Sequence, residues 1–212
     1  EIDEIIYIDL VASLYGRSQI TEILYETTRD VFIPLTAGGG IRNIDDVHQL
    51  LRSGADKVAI NTAAVRNPEL ISEVASTYGN QCMVLSIEAK KRNSSSWEIY
   101  TECGRESTGI EVSEWAKKAE LLGAGEILLT SIDCEGTRKG FDLDLMKCIT
   151  SEVSIPVIAS GGFGNISHIK PVLSTGVDAI AIAGSFHYSL VNISDVKKEI
   201  NNSGYLATTS RK

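Results

Sequence analysis

Seven short runs of apolar and β-branched residues punctuate the chain, at 5–10 (IIYIDL), 31–39 (VFIPLTAGG), 57–61 (KVAIN), 83–89 (MVLSIEA), 126–133 (EILLTSID), 155–162 (IPVIASGG) and 179–185 (AIAIAGS). The segments between them carry apolar residues at helical spacing, as in 43–55, 67–79 and 113–125, each opened by a capping residue or proline and closed by glycine. Continuous apolar strands alternating with amphipathic helices predict a parallel sheet built from βα units. One stretch breaks the rhythm. Residues 94–109 (SSSWEIYTECGRESTG) alternate like a small hairpin before the next helix opens near Val112. That places a decorated loop at the carboxyl end of a strand, where parallel α/β folds keep their active sites.

The pattern also repeats itself. Sliding the chain by 122 residues lays 33–63 (IPLTAGGGIRNIDDVHQLLRSGADKVAINTA) over 155–185 (IPVIASGGFGNISHIKPVLSTGVDAIAIAGS) without a gap and with about a dozen identities, among them Pro34/Pro156, Gly39/Gly161, Gly40/Gly162, Gly54/Gly176 and Asp56/Asp178. That period is too long for a solenoid, so it predicts a duplicated half-domain. An open doubly wound sheet also accommodates seven strands, but the duplication, the polar residue or glycine at nearly every strand's carboxyl end, and the absence of a G-x-G-x-x-G turn favour a barrel. The fold expected is therefore α/β: a (β/α)8 TIM barrel made of two half-barrels, forming one domain over 1–212. Such a barrel needs eight strands and the chain opens almost directly on one, so strands two to eight are expected here and the first βα unit is expected to be missing.

Composition narrows the function. With 212 residues and 43% hydrophobic content the chain can bury a sizeable core. Its first ten residues carry acids where a signal peptide carries bases, and no apolar run approaches 18 residues, which argues against secretion and against a membrane span. Cys82, Cys103, Cys134 and Cys148 are scattered, with no C-x-x-C pair and no metal-ligand spacing, as suits a reducing cytoplasm. A net charge of −8 argues against a general nucleic-acid binder but not against a small anionic ligand, which local backbone donors can hold. No cofactor or metal motif is present, so neither is expected.

In each copy of the repeat a strand ends in two glycines, and about twenty residues later a second strand ends in a small polar motif, 61–63 (NTA) or 183–185 (AGS). Glycine lets a backbone approach an anion, and amides at a following helix start can point at phosphate oxygens. A single glycine pair equally well permits a tight turn; two copies in register favour a ligand with a phosphate at each end. Between them, Asp9, Thr36, Glu88, Thr130, Asp133 and Ser160 sit at or near strand carboxyl ends and can converge over the barrel mouth. Glu88 and Asp133 are the foremost acid–base candidates. For either alone, a carboxylate bonded to a neighbouring loop is nearly as good a reading. His48 and His168 fall in predicted helices and His187 just past the last strand, so no histidine is a strong catalytic candidate.

The motifs IDLVAS, TAGGGIRNIDD, GADKVAINTAAVRNPELI, STGIEVSEWAKKAELLGAGEILLTSID, EGTRKGFD and VIASGGFGN resemble, in order and over nearly the whole chain, the cyclase subunit of imidazole glycerol phosphate synthase, the HisF family. The resemblance implies a duplicated half-barrel whose substrate, a phosphoribulosyl formimino carboxamide ribotide, carries two phosphates. Ammonia from a glutaminase (HisH-like) subunit, docked on the amino-terminal face, cyclises it to imidazole glycerol phosphate and an aminoimidazole carboxamide ribotide. Carried over by position, one phosphate site falls on Gly40, Asn61 and Thr62, and the other on Gly136, Gly162, Ala183 and Gly184, with Gly161 beside it. Asp9, Thr130, Glu135 and Ser160 fall on the substrate-binding surface, and Glu4, Lys57 and Glu126 on the charged ring around the ammonia entrance. An ordinary salt-bridge ring closing the barrel would look the same.

Two departures accompany the resemblance. The family's two catalytic aspartates lie in strands one and five. The first belongs to the segment expected to be missing, and at the second this chain has Glu88; Glu135 likewise replaces an Asp before Gly136 and Thr137. Glutamate sets the same acid on an arm one methylene longer, and a displacement near 1 Å can cost on the order of 100-fold in rate. The same motifs also resemble a HisF-like paralogue that delivers ammonia for acetamidino modification of a surface sugar. A related phosphoribosyl isomerase fits 123–137 less well, and a barrel serving only as an ammonia conduit is the alternative from a different class.

Overall fold

The computed structural model describes residues 2–10 and 20–208. Its strands are β1 (Ile5–Ile8), β2 (Leu35–Gly38), β3 (Lys57–Ile60), β4 (Met83–Asn93), β5 (Ser96–Thr101), β6 (Glu106–Glu111), β7 (Glu126–Ser131), β8 (Val157–Ser160) and β9 (Ala179–Ile180). Parallel ladders run β1-β2-β3-β4-β7-β8-β9, while β5 pairs antiparallel with β4 and β6 with β5. Sequential parallel strands with a helix in each crossover are the wall of a (β/α)8 barrel, seven strands of it, and the hairpin grows from the carboxyl end of the central strand as its alternation predicts. Among the described residues no strand pairs β1 with β9. Residues 11–13, the end of the IDLVAS motif, lie outside the described residues.

The helices are α1 (Ile20–Thr27), α2 (Ile44–Arg52), α3 (Thr62–Arg66), α4 (Glu69–Tyr78), α5 (Val112–Leu122), α6 (Leu143–Thr150), α7 (Ile169–Leu173), α8 (Gly184–His187) and α9 (Ile193–Asn202). α2 shows how the sequence sets them. The Asn43 side chain accepts the Asp46 N–H at 3.0 Å, Val47 and Leu50 bury the apolar stripe, and the chain leaves through Gly54 at φ 111°. α5 opens at Val112, as expected, but Ser113 is not its cap. Its cap is Glu111, whose carboxylate accepts the N–H groups of Ser113 (2.7 Å) and Glu114 (3.0 Å) and the Ser113 hydroxyl. Six of the seven parallel strands are shorter than their apolar runs. β2 begins only after Pro34, whose carbonyl accepts the Ile5 N–H, and β9 gives way at Gly184 to α8. His168 ends a short 3-10 turn (Ile166–His168) ahead of α7.

The duplication is physical as well as textual. Asp56 Oδ2 accepts the Leu35 N–H at 2.8 Å, and Asp178 Oδ2 accepts the Val157 N–H at 2.9 Å. Ile5 N–H donates to Pro34 O just as Ile127 N–H donates to Pro156 O. A Cβ on Gly54 would strike Thr28, and one on Gly176 would meet Thr150. Every partner in each pair is separated from its counterpart by the same 122 residues, so the two halves are built on one plan.

Because side chains alternate across a strand, odd and even positions feed two cores. Outward-facing Val58, Ile60, Leu85, Ile87, Ile127, Leu129 and Val157 pack with Leu50, Leu70, Val74, Trp115, Leu145 and Val172 of the helices in one large cluster. Inward-facing Ala59, Val84, Leu128 and Ile158, joined by Ile6, Ile8 and Ala181, form a small separate one. Burying a Leu or Ile fully contributes roughly 1.5–3 kcal/mol, so the helix layer supplies most of the stability and the interior mainly fills space.

Candidate functional site

The same alternation lines up the chemistry inside the barrel. Lys57, Ala59 and Asn61 follow one another up the inner face of β3; Val84, Ser86 and Glu88 up β4; Glu126, Leu128 and Thr130 up β7; Ile158 and Ser160 up β8. Strand register puts Glu88 beside Thr130 and Thr130 beside Ser160, one row across three strands at the carboxyl end. The charged ends of these columns point the other way, below the small apolar cluster.

A cavity of about 250 Å³ opens at the mouth over β1 to β4. It brings together Asp9, Gly40, Asn61, Thr62 and Glu88, with Arg42, Arg66 and Glu102 on its walls. Glu88 Oε2 accepts two hydrogen bonds, from Asn61 Nδ2 (2.9 Å) and from the Gly104 N–H (2.9 Å). Burial pushes the Glu88 carboxyl up, and these two bonds pull back only part of that shift. A half-buried acid held by one oxygen and raised toward neutrality suits proton transfer at the other oxygen. Asp133, its rival in the sequence, has a structural partner: its Oδ2 accepts the Lys91 N–H at 2.8 Å and ties the loop after β7 to β4.

The hairpin turn folds down onto this cavity. Glu102 and Cys103 have φ of 50° and 57°, left-handed values that favour glycine. They are held there from below. The Glu102 N–H donates to Thr62 Oγ1 (3.1 Å), the Glu102 carboxylate pairs with Arg66 (2.9 Å), and the Cys103 thiol donates to the Leu10 carbonyl (3.3 Å). Asn61 Nδ2 also reaches the Tyr100 carbonyl at 3.1 Å. Arg66, Glu102 and Gly104 were not among the residues the sequence singled out. The only local signal was Arg66, one helical turn beyond Thr62 on α3.

Thr130, Glu135, Gly136, Ser160, Gly161, Gly162, Ala183 and Gly184 gather on the other half of the mouth and do not line this cavity. There Gly140 N–H donates to Gly162 O at 2.9 Å, and a Cβ on Gly162 would lie 2.1 Å from Gly140 O. Gly161 faces Ser131 O and the Glu135 carboxylate in the same way. Gly136 and Gly184, by contrast, face open space, and Ala183 caps α8. Close contacts require Gly161 and Gly162 and a φ of 71° favours glycine at 136, so of these four only Gly184 is unconstrained by the fold.

At the opposite end Lys57 Nζ lies 2.6 Å from Glu126 Oε1 and 3.1 Å from Glu4 Oε2. Glu4 and Glu126 are counterparts in the repeat, so one lysine gathers the same carboxylate from both halves. Burial opposes the Lys57 charge, but its hydrogen bonds to Glu126 and Glu4 outweigh that and raise its pKa. Elsewhere burial pushes the thiols of Cys82, Cys134 and Cys148 up, away from the nucleophilic thiolate. Among the described residues no group of three His, Cys, Asp or Glu side chains could hold a metal ion, and no helix is long and apolar enough to cross a membrane.

Comparison with known proteins places the chain in one family. The family model described as histidine biosynthesis protein matches residues 1–192. Imidazole glycerol phosphate synthase subunit HisF of Legionella pneumophila is 63% identical over 168 residues, which cover 79% of this chain and 79% of the relative. The subunits of the same name from Bacillus cereus (50% over 201 residues; 94% of this chain, 80% of the relative) and Dictyoglomus thermophilum (46% over 202 residues; 95% and 80%) match almost end to end on this side.

Proposed function

The chain belongs to the histidine biosynthesis protein family, and on that premise we propose that it is the cyclase subunit of imidazole glycerol phosphate synthase. It converts a phosphoribulosyl formimino carboxamide ribotide and ammonia to imidazole glycerol phosphate and an aminoimidazole carboxamide ribotide. One substrate phosphate is held at Gly40, Asn61 and Thr62, the other at Gly136, Gly162, Ala183 and Gly184, and the reacting centre lies between them over Thr130 and Ser160. Glu88 moves protons at that centre through its Oε1.

The observation that carries this reading is the inner face of the sheet. It runs from the Lys57–Glu4–Glu126 cluster, through the apolar residues Ile6, Ala59, Val84, Leu128 and Ile158, to the row of Glu88, Thr130 and Ser160. An apolar interior admits neutral ammonia far more readily than ammonium, because an unpaired charge is costly to desolvate. The charged cluster is then the entrance, facing a glutaminase subunit docked on the amino-terminal face. With this function go a cytoplasmic location and a single barrel domain over 1–212 that holds seven of the strands.

The test adds the bisphosphorylated ribotide and a saturating ammonium salt to the full-length protein and follows loss of the ribotide. Turnover that falls on Glu88→Gln by about 100-fold or more, with binding retained, is the expected result. The glutamate at the family's aspartate position keeps a second reading in play. Binding without turnover in the unmodified protein would move the assignment to the surface-sugar ammonia route or to a conduit.

A further inference from the structure

Arg66 stands four residues after Thr62 on α3, so the two side chains share a face. They also share a partner. Thr62 Oγ1 accepts the Glu102 N–H at 3.1 Å while Arg66 Nη2 lies 2.9 Å from Glu102 Oε1 and 3.7 Å from Glu106 Oε2. Both ends of Glu102 are thus gripped by α3, which fixes the guanidinium beside Thr62 in the cavity that Gly40, Asn61 and Glu88 line. Glu102 is the more enclosed partner, with 17% of its side chain exposed against 63% for Arg66. A guanidinium carries five N–H donors, so Arg66 can meet a second anion beside Glu102.

Charge decides what that anion is. The cavity walls carry Asp9, Glu88 and Glu102 against Arg42 and Arg66, an arrangement unfavourable to a dianion unless a cation is released to meet it. Glu102 lines the same cavity as Thr62 and Arg66, and its left-handed backbone is kept in place by its contacts with them. We propose that Arg66 is a specificity-determining residue that exchanges Glu102 for the substrate phosphate held at Gly40, Asn61 and Thr62. Glu102 is its competing partner, a carboxylate already paired with the guanidinium at 2.9 Å. The inference rests on the functional reading above, and it adds the Arg66 guanidinium to the phosphate site at Gly40, Asn61 and Thr62.

Binding of the bisphosphorylated ribotide, measured by calorimetry without ammonia so that no turnover occurs, tests it. Arg66 is exposed enough for Arg66→Gln to fold. That variant is expected to bind at least about tenfold more weakly than the wild type, as loss of a charge-assisted hydrogen bond requires. Arg66→Lys should recover part of the loss, and Glu102→Gln should bind as tightly as the wild type or more so, because the competing carboxylate is gone. Arg66→Gln binding within twofold of the wild type overturns the proposal. So does equal weakening by Arg66→Gln and Glu102→Gln, which would make the pair a mere brace for the hairpin turn. A wild-type protein that does not bind the ribotide at all fails at the functional reading, and this inference falls with it.

Discussion

Asn61 Nδ2 reaches Glu88 Oε2 at 2.9 Å and the Tyr100 carbonyl at 3.1 Å, so a single amide orients the candidate acid and anchors the hairpin above it. Asn61 was singled out as a phosphate ligand. Its side chain has this further task, and it opposes the rise that burial imposes on Glu88. Replacing Asn61 with Leu removes a bond to the ionised form, so the Glu88 pKa should climb further. The acidic limb of the kcat/KM pH profile should then move to higher pH. An unmoved limb would detach Glu88 from that limb or Asn61 from Glu88.

The glycines of the mouth divide by cause, and substitution should separate them. A Cβ on Gly39 would lie 2.2 Å from the Asp9 carbonyl at a φ of 98°, so Gly39→Ala should cost about 3 kcal/mol or more in a denaturation experiment. Gly184 has nothing within 4 Å and no positive φ. Gly184→Ala should leave stability within about 0.5 kcal/mol yet weaken binding of the bisphosphorylated ribotide, since a methyl group there would meet the phosphate proposed at this site.

Glu98 anchors the hairpin from inside. It accepts from Arg92 Nε (2.8 Å), from the Ser107 hydroxyl and from the Gly109 N–H (2.6 Å). The bonds from Arg92 and Ser107 do most to hold its carboxyl at about 2, below the ordinary 4.5. A depressed carboxylate contributes stability that is complete above about pH 4.5 and is lost as pH falls toward 2. The stability gap between the wild type and Glu98→Gln, followed by denaturation at a series of pH values, should therefore shrink across that interval. A gap constant from pH 6 to pH 2 would contradict it.

Lys57 neutralises two carboxylates that the repeat brings together. Lys57→Met leaves Glu4 and Glu126 facing each other and should cost about 1–2 kcal/mol, moderated by the partial exposure of the cluster. Because the Lys57 pKa is raised, its contribution is complete below the ordinary lysine value of 10.5 and is lost only at higher pH. Thermal melts of the two proteins should differ by a few degrees at pH 7 and converge in strong alkali.

The sequence by itself determined the periodic and the duplicated. Period-two and helical patterning act over a few residues, so the strands and the main helices between them could be read directly. The 122-residue offset exposed the two-fold plan that the Asp56–Leu35 and Asp178–Val157 bonds repeat. Their places at strand carboxyl ends also predicted that Glu88, Thr130 and Ser160 can converge over the barrel mouth. Only the tertiary structure decided which polar groups meet. Gly104 lies 16 residues from Glu88, Glu102 lies 40 from Thr62 and Lys91 lies 42 from Asp133. The first two contacts exist because the hairpin bends back through two left-handed residues, Glu102 and Cys103. Neither residue type signals such a turn, and the bend is held by partners on other strands and helices, which no local pattern can name.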